Sequence, residues 1–196
     1  MGCAIASLYL IKHPKVIKAA ILSSPMFAIN MGKLSPQLAT GIINFSSAIE
    51  KVLANTACYF PGQKNHAFKE FSQNKLSHSK IRYKVFKDLY QKEKTVQLGG
   101  VTIQWLKKAQ QIKSEIFKNL EQFNTPVMVL QAGDDTIVAN SAQDEFCKNL
   151  HQKKPNLCYS DKPIKIEGAW HELFFEKDEY RKPAINYCLT WFEKKT

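Results

Sequence analysis

Acidic residues are scarce in this chain: 17 Asp and Glu stand against 28 Lys and Arg, giving a net charge of +11 over 196 residues. Such an excess suits nucleic acid or an anionic surface as a partner. Zinc-finger spacing, an RNA-binding aromatic motif and a Gly-rich phosphate loop are all missing, so no nucleic-acid partner is expected. No apolar run approaches the roughly 18 residues of a membrane span. The five cysteines, Cys3, Cys58, Cys147, Cys158 and Cys188, are odd in number and scattered. They form no C-x-x-C pair and have no His partner at metal-ligand spacing, which argues against a disulfide framework or a metal site and fits a reducing compartment. Internal repeats, low-complexity linkers and a secretory leader pattern are absent as well. What is present, 44% hydrophobic and 11% aromatic residues, is enough to bury a core.

A further absence concerns chemistry. The pattern G-x-S-x-G, which places a nucleophilic serine on a sharp strand-to-helix turn, occurs nowhere in the chain. Met1-Gly2-Cys3-Ala4-Ile5-Ala6 nevertheless fits its far half, with the serine falling one residue before Met1. Ile5, Leu8 and Ile11 recur at three-residue spacing and His13-Pro14 supplies a stop, which predicts an opening helix. Gly2 and Ala4 are small where a strand and a helix must approach closely. The alternative is an ordinary start codon before an amphipathic helix. Ser23 and Ser24 follow the apolar run Ala19-Ala20-Ile21-Leu22 but lack the surrounding glycines, and Cys3 is expected to pack rather than react.

Two later segments supply partners for a nucleophile. Thr125-Pro126 leads into Val127-Met128-Val129-Leu130-Gln131, the short apolar run of a buried parallel strand, broken by Ala132-Gly133-Asp134-Asp135. Pro163-Ile164-Lys165-Ile166 is a second strand candidate, closed by Glu167-Gly168-Ala169-Trp170-His171. Acid and histidine thus both follow strands, in the order Ser…Asp…His. Asp134 competes with Asp135 for the acid role. His171 has four rivals in His13, His66, His78 and His151; His13 ends a helix and His151 is expected in a polar loop.

The chain resembles the C-terminal part of the α/β-hydrolase superfamily's lysophospholipase and monoacylglycerol lipase group. The resemblance rests on Met1 to Ala6, Asn74-Lys75-Leu76-Ser77-His78-Ser79 with Arg82-Tyr83, Leu98-Gly99-Gly100-Val101-Thr102 with Trp105, Leu130 to Asn140, and Gly168-Ala169-Trp170-His171-Glu172-Leu173. It implies an α/β three-layer sandwich of mostly parallel strands with a helical cap insertion. It also implies His171 as general base, Asp135 as the residue that orients it, and the Met1 backbone as an oxyanion-hole donor, with no cofactor and no metal. The expected organisation is a hydrolase core formed by residues 1–29 and 120–196, with a cap over 30–119.

The cap reading agrees with the pattern between the strands. After the strand candidate Lys18 to Ser24, helical stretches are predicted over Gln37 to Leu53, Ser79 to Tyr90 and Thr102 to Phe117. Ile42, Ile43, Phe45, Ile49 and Leu53 offer an apolar face for an acyl pocket or for packing on the core. Thirteen Lys or Arg against four Asp or Glu lie between Pro61 and Leu120, which concentrates the positive charge here. That charge suits peripheral contact with an anionic membrane, against the plainer reading of a solvated lysine-rich face. Phe174 to Lys195 reads as a closing helix that packs through Tyr180, Ile185, Leu189 and Phe192, with Pro183 near its first turn.

The resemblance therefore implies a carboxylic-ester hydrolase acting on a lysophospholipid or monoacylglycerol, cytoplasmic or peripheral on the inner membrane, and inactive as this chain alone. The competing expectation is a non-catalytic remnant or a lipid- or partner-binding module. If the nucleophile strand is missing, the strand Lys18 to Ser24 loses a neighbour, and the exposed edge favours oligomers or poor solubility.

Overall fold

The computed structural model describes residues 1–30, 32, 36–53 and 58–195, without the side chains of 36, 37, 39 and 48–53. The elements run α1 (Gly2–Lys12), β1 (Ala20–Ser23), α2 (Pro36–Leu53), α3 (Lys80–Lys92), α4 (Ile103–Lys118), β2 (Val127–Ala132), α5 (Asn140–Lys153), β3 (Ile164–Ile166) and α6 (Asp178–Glu193). Among the described residues the strands form one parallel sheet in the order β1-β2-β3. Ala20 pairs with Val127, and Leu130 with Ile164. Parallel neighbours require crossovers, and α5 supplies the one between β2 and β3.

Side chains alternate across a strand, so β2 serves two cores. Val127 and Val129 enter one with Leu22, Ala4, Leu10, Ile116, Phe146 and Leu150, between the sheet and α1, α4 and α5. Met128, Leu130 and Ala132 enter the other with Ile166, Ala184 and Trp191 of α6. All six β2 residues are buried. A central strand covered on both faces reads as an apolar run, here Val127 to Leu130, and the one polar side chain, Gln131, is bonded to the Asn140 carbonyl and to Asp144. Phe146 anchors the first core, stacked on Phe27 at a 4.3 Å ring separation and edge-on to Phe117 and Phe123.

Two of the helices between β1 and β2 begin at side-chain caps. Ser79 Oγ accepts from the Arg82 amide at the start of α3, and Thr102 Oγ1 accepts from the Trp105 amide at the start of α4. Such caps satisfy amides that have no partner within their own helix. All three expected helices in this stretch are present, with boundaries one or two residues from those read in the sequence.

Several expectations need correction. The buried face of α1 is Ala4, Ser7, Leu10 and Ile11, while Ile5 is exposed. Small residues let the helix approach the sheet closely, and Ser7 Oγ satisfies itself on the Cys3 carbonyl. On α6 the packed face is Tyr180, Ala184, Cys188 and Trp191; Leu189 and Phe192 are exposed. Pro183 sits inside that helix, beyond its first turn. On α2, Ile43 is buried but Phe45 is exposed, and the side chains of Ile49 and Leu53 lie outside the described residues.

Gly133 is where the loops that follow β2 and β3 touch. Its amide donates to the Ile166 carbonyl, and the Asp134 amide donates to the Ala169 carbonyl, both at 2.9 Å. A Cβ at Gly133 would lie 2.9 Å from the Glu167 Cα, the Gly168 nitrogen and the Ile166 oxygen, all backbone. None of these can rotate away. Gly133→Ala is therefore expected to destabilise the fold by about 1–3 kcal/mol, the usual cost of overpacking. Urea unfolding checks this, and an unchanged midpoint would show that the two loops part freely.

Candidate active site

Parallel strands deliver their C-terminal ends to one edge of the sheet, and the loops leaving β2 and β3 meet there. Asp135 lies in the first and His171 in the second. The His171 ring Nδ1 and Asp135 Oδ2 are 2.7 Å apart. Asp135 Oδ1 accepts from the Ile137 and Val138 amides at 2.7 and 3.0 Å, so both carboxylate oxygens are engaged. Its side chain is fully buried, and that of His171 retains 15% exposure. A buried carboxylate held by backbone donors fixes an imidazole in orientation and tautomer, with Nδ1 as the donor. The opposite nitrogen, Nε2, has no partner among the described residues, so it is free to take a proton from a reacting group.

Of the two aspartates, Asp135 makes the contact with His171. The Asp134 amide donates to the Ala169 carbonyl of the histidine loop. The rival histidines are placed otherwise. His13 caps α1 and lies 4.5 Å from the Tyr9 ring; His66 sits among Phe68 and Tyr90. His151 belongs to the last turn of α5 rather than to a loop, because that helix continues to Lys153. His78 pairs with Glu176, a residue that sequence reasoning did not select.

Among the described residues, neither Ser23, which ends β1, nor Ser24 hydrogen-bonds the histidine. Ser24 has φ +42° and a buried hydroxyl with no hydrogen-bond partner among the described residues. The Cys3 thiol donates to the Ser23 carbonyl at 3.3 Å. Burial pushes this thiol above its ordinary pKa, and the nearby Glu172 carboxylate adds to the rise. A neutral thiol is a poor nucleophile, as expected for a packed cysteine. Met1 caps α1 with its carbonyl, which accepts from the Ala4 amide at 3.0 Å, and its sulfur receives the Trp105 indole N–H. Among the described residues no cluster of three or more His, Cys, Asp or Glu is arranged to hold a metal ion.

Glu176 is the second buried carboxylate of the site. Burial pushes its pKa up, but hydrogen bonds from the Trp170 amide, the His78 ring and the His78 and Lys177 amides outweigh that and hold it below the ordinary value. A depressed carboxyl pKa contributes stability that is complete above the unfolded-state value of about 4.3 and is lost as the pH falls through the folded value. The chain is accordingly expected to lose stability on acidification below about pH 5. Glu176→Gln should be less stable near neutrality and show a flatter acid limb. Melting temperatures from pH 3 to 8 check this, and parallel curves for the two proteins would contradict it.

Relatives place this chain in a family. The sequence matches the family described as serine aminopeptidase S33 over residues 1–178. It is 30% identical to lysophospholipase L2 of Escherichia coli K12 over 194 residues, which is 99% of this chain and 56% of that protein. It is 28% identical to the probable lysophospholipase L2 of Haemophilus influenzae, of which it covers 57%. The chain thus spans little more than half the length of these relatives. The fold matches a monoacylglycerol lipase of Paleococcus ferrophilus at a TM-score of 0.66 and 15% identity, over 99% of this chain and 65% of that one. It also matches a soluble variant of monoglyceride lipase from Saccharomyces cerevisiae, solved with a substrate analog, at 0.65 and 17%, over 99% and 59%. The three-stranded parallel sheet with its flanking helices therefore matches part of the α/β-hydrolase fold, and the chain belongs to the serine aminopeptidase S33 family.

Proposed function

We propose that this chain carries the acid–base part of a serine hydrolase that cleaves the ester of a single-acyl-chain lipid, a lysophospholipid or a monoacylglycerol. The observation that carries the reading is the 2.7 Å contact between a buried Asp135 and a His171 whose Nε2 is open. In this reading the serine precedes Met1. His171 Nε2 takes the proton from the serine hydroxyl as it attacks the ester carbonyl, then gives it to the leaving alcohol. A water deprotonated by the same nitrogen releases the fatty acid, and Asp135 stabilises the imidazolium throughout. The Met1 amide, once part of a peptide bond, serves as one oxyanion donor.

Residues 1–29 and 120–196 act as the hydrolase core and 30–119 as the cap. A cavity of about 650 Å³ between them, lined by Met26, Phe27, Ile29, Ile43, Leu106 and Ala142, supports an acyl-binding role. Ile29 bridges to Val138, whose amide is held by Asp135, so this cavity adjoins the dyad's own turn. The relatives' names, lysophospholipase and monoglyceride lipase, agree with a single-chain lipid.

Contact with an anionic membrane through the basic cap belongs to the same proposal. Helix α3 turns Ile81, Val85 and Leu89 to solvent at successive four-residue steps, with Lys80, Lys84 and Lys92 beside them. Exposed aliphatic side chains among lysines suit a headgroup boundary. Among the described residues no helix is long and apolar enough to cross a membrane.

Turnover of 1-acyl lysophospholipid and monoacylglycerol should be measured with a chain extended upstream through an in-frame Gly-x-Ser. Asp135→Asn is expected to lower kcat by about 10⁴-fold, the loss seen when a histidine is left in the wrong tautomer. His171→Ala should lose more, about 10⁶-fold. Retained turnover in His171→Ala would overturn the assignment of the base.

A further inference from the structure

The segment Asn74–Tyr83, which supports the resemblance as strongly as the catalytic stretches, has no part in the acyl-transfer chemistry. Its contacts give it one. Asn74 is buried and shapes a tight turn: its Oδ1 accepts from the Leu76 amide at 2.7 Å and its Nδ2 donates to the Ser77 carbonyl at 2.5 Å. The Ser77 hydroxyl donates to the Phe175 carbonyl at 2.6 Å and accepts from the Ser79 amide. Arg82 closes the far side, donating to the Glu176 carbonyl and to Asp178 Oδ1, both at 2.5 Å.

Glu176 is the centre of this contact. Its Oε1 faces the His78 ring Nδ1 at 2.7 Å and accepts from the Trp170 amide at 2.9 Å. Its Oε2 accepts from the His78 and Lys177 amides, both at 2.9 Å. The Trp170 ring lies on the His78 ring with 3.9 Å between centroids. The main chain is therefore tied on both sides of His171, at the Ala169–Trp170 and His171–Glu172 peptide units. The Trp170 N–H is held by Glu176, and the Glu172 N–H donates to the Leu76 carbonyl at 2.9 Å.

Resting on the hydrolase reading above, we propose that Glu176, with His78 and the Asn74 turn, is a positioning clamp that holds the backbone on both sides of His171 and so aims Nε2. A side-chain hydrogen bond to Asp135 fixes the ring about Nδ1 but leaves the main chain of a loop free to rock. Reacting groups must be held to about 0.5 Å for efficient proton transfer. A buried carboxylate is costly unless nearly all its acceptor positions are filled, so it persists where its partners require fixed geometry. The clamp ties the stretch just before α3 to the base itself, so displacement of that stretch disturbs the histidine.

Proton NMR of this chain tests the clamp without requiring turnover. Two low-field Nδ1 protons are expected, on His171 and on His78; Asp135→Asn removes the first and His78→Ala the second. In a folded His78→Ala chain, the His171 proton should exchange with solvent about tenfold faster, as expected from losing a hydrogen bond to a charged group. Asn74→Ala, which touches neither residue of the dyad, should do the same. His78→Asn, whose Nδ2 takes the place of the ring donor, should restore slow exchange, and Glu121→Gln, a remote surface change, should leave it unaltered. Unchanged His171 exchange in folded His78→Ala and Asn74→Ala would overturn the clamp alone. No His171 proton sensitive to Asp135→Asn in the parent chain would overturn the dyad, and the clamp with it.

Discussion

The contact between Asp135 and His171 spans two loops that belong to different strands, so its geometry depends on how β2 and β3 are held side by side. The parallel pairing of Leu130 with Ile164 sets the register, and the Gly133 and Asp134 amides then tie the first loop to the second. Nothing larger than glycine fits at that crossing. Burial of β2 on both faces makes the support stiff, because its five apolar side chains are committed to one core or the other and Gln131 is bonded to the Asn140 carbonyl and to Asp144. A dense interior does not deform continuously, so the dyad inherits the rigidity of the sheet.

Electrostatically the site is built from two histidine–carboxylate pairs with opposite surroundings. Asp135 has His171 and two amides of its own turn, and it leaves one imidazole nitrogen open. Glu176 has His78 and three amides, and its bonds run outward to the segment ahead of α3 and to the histidine loop. One pair suits proton transfer and the other suits fastening. The basic charge of residues 61–120 is a separate matter: apart from Arg82, which donates to the Glu176 carbonyl, it is carried by lysines that bond to neither pair.

The sheet was legible because a strand buried on both faces reads as an apolar run, as Val127 to Leu130 does. Helices α3 and α4 were legible from their periodicity, although Ser79 and Thr102, read as their first residues, are the caps that precede them. Asp135 and His171 could be picked out because each follows a strand after a glycine, a pattern that local sequence records. The face of α1 was misread, since small Ala4 and Ser7 are buried there while larger Ile5 is not. Periodicity of large apolar residues cannot reveal a close approach that depends on small ones. The bond between His78 and Glu176 joins residues 98 apart in the chain. No local signal marks such a pair, although the Asn74–Ser79 stretch had already stood out by resemblance.

The central proposal is that Asp135 and His171 are the acid and base of a serine hydrolase whose nucleophile is not among these residues. It is tested most directly by incubating the purified chain, and a chain extended upstream through an in-frame Gly-x-Ser, with a serine-directed phosphonate probe and reading the intact masses. The account predicts labelling of the extended chain alone, abolished by His171→Ala. Labelling of the 196-residue chain itself would contradict it, because a residue within that chain would then be the nucleophile.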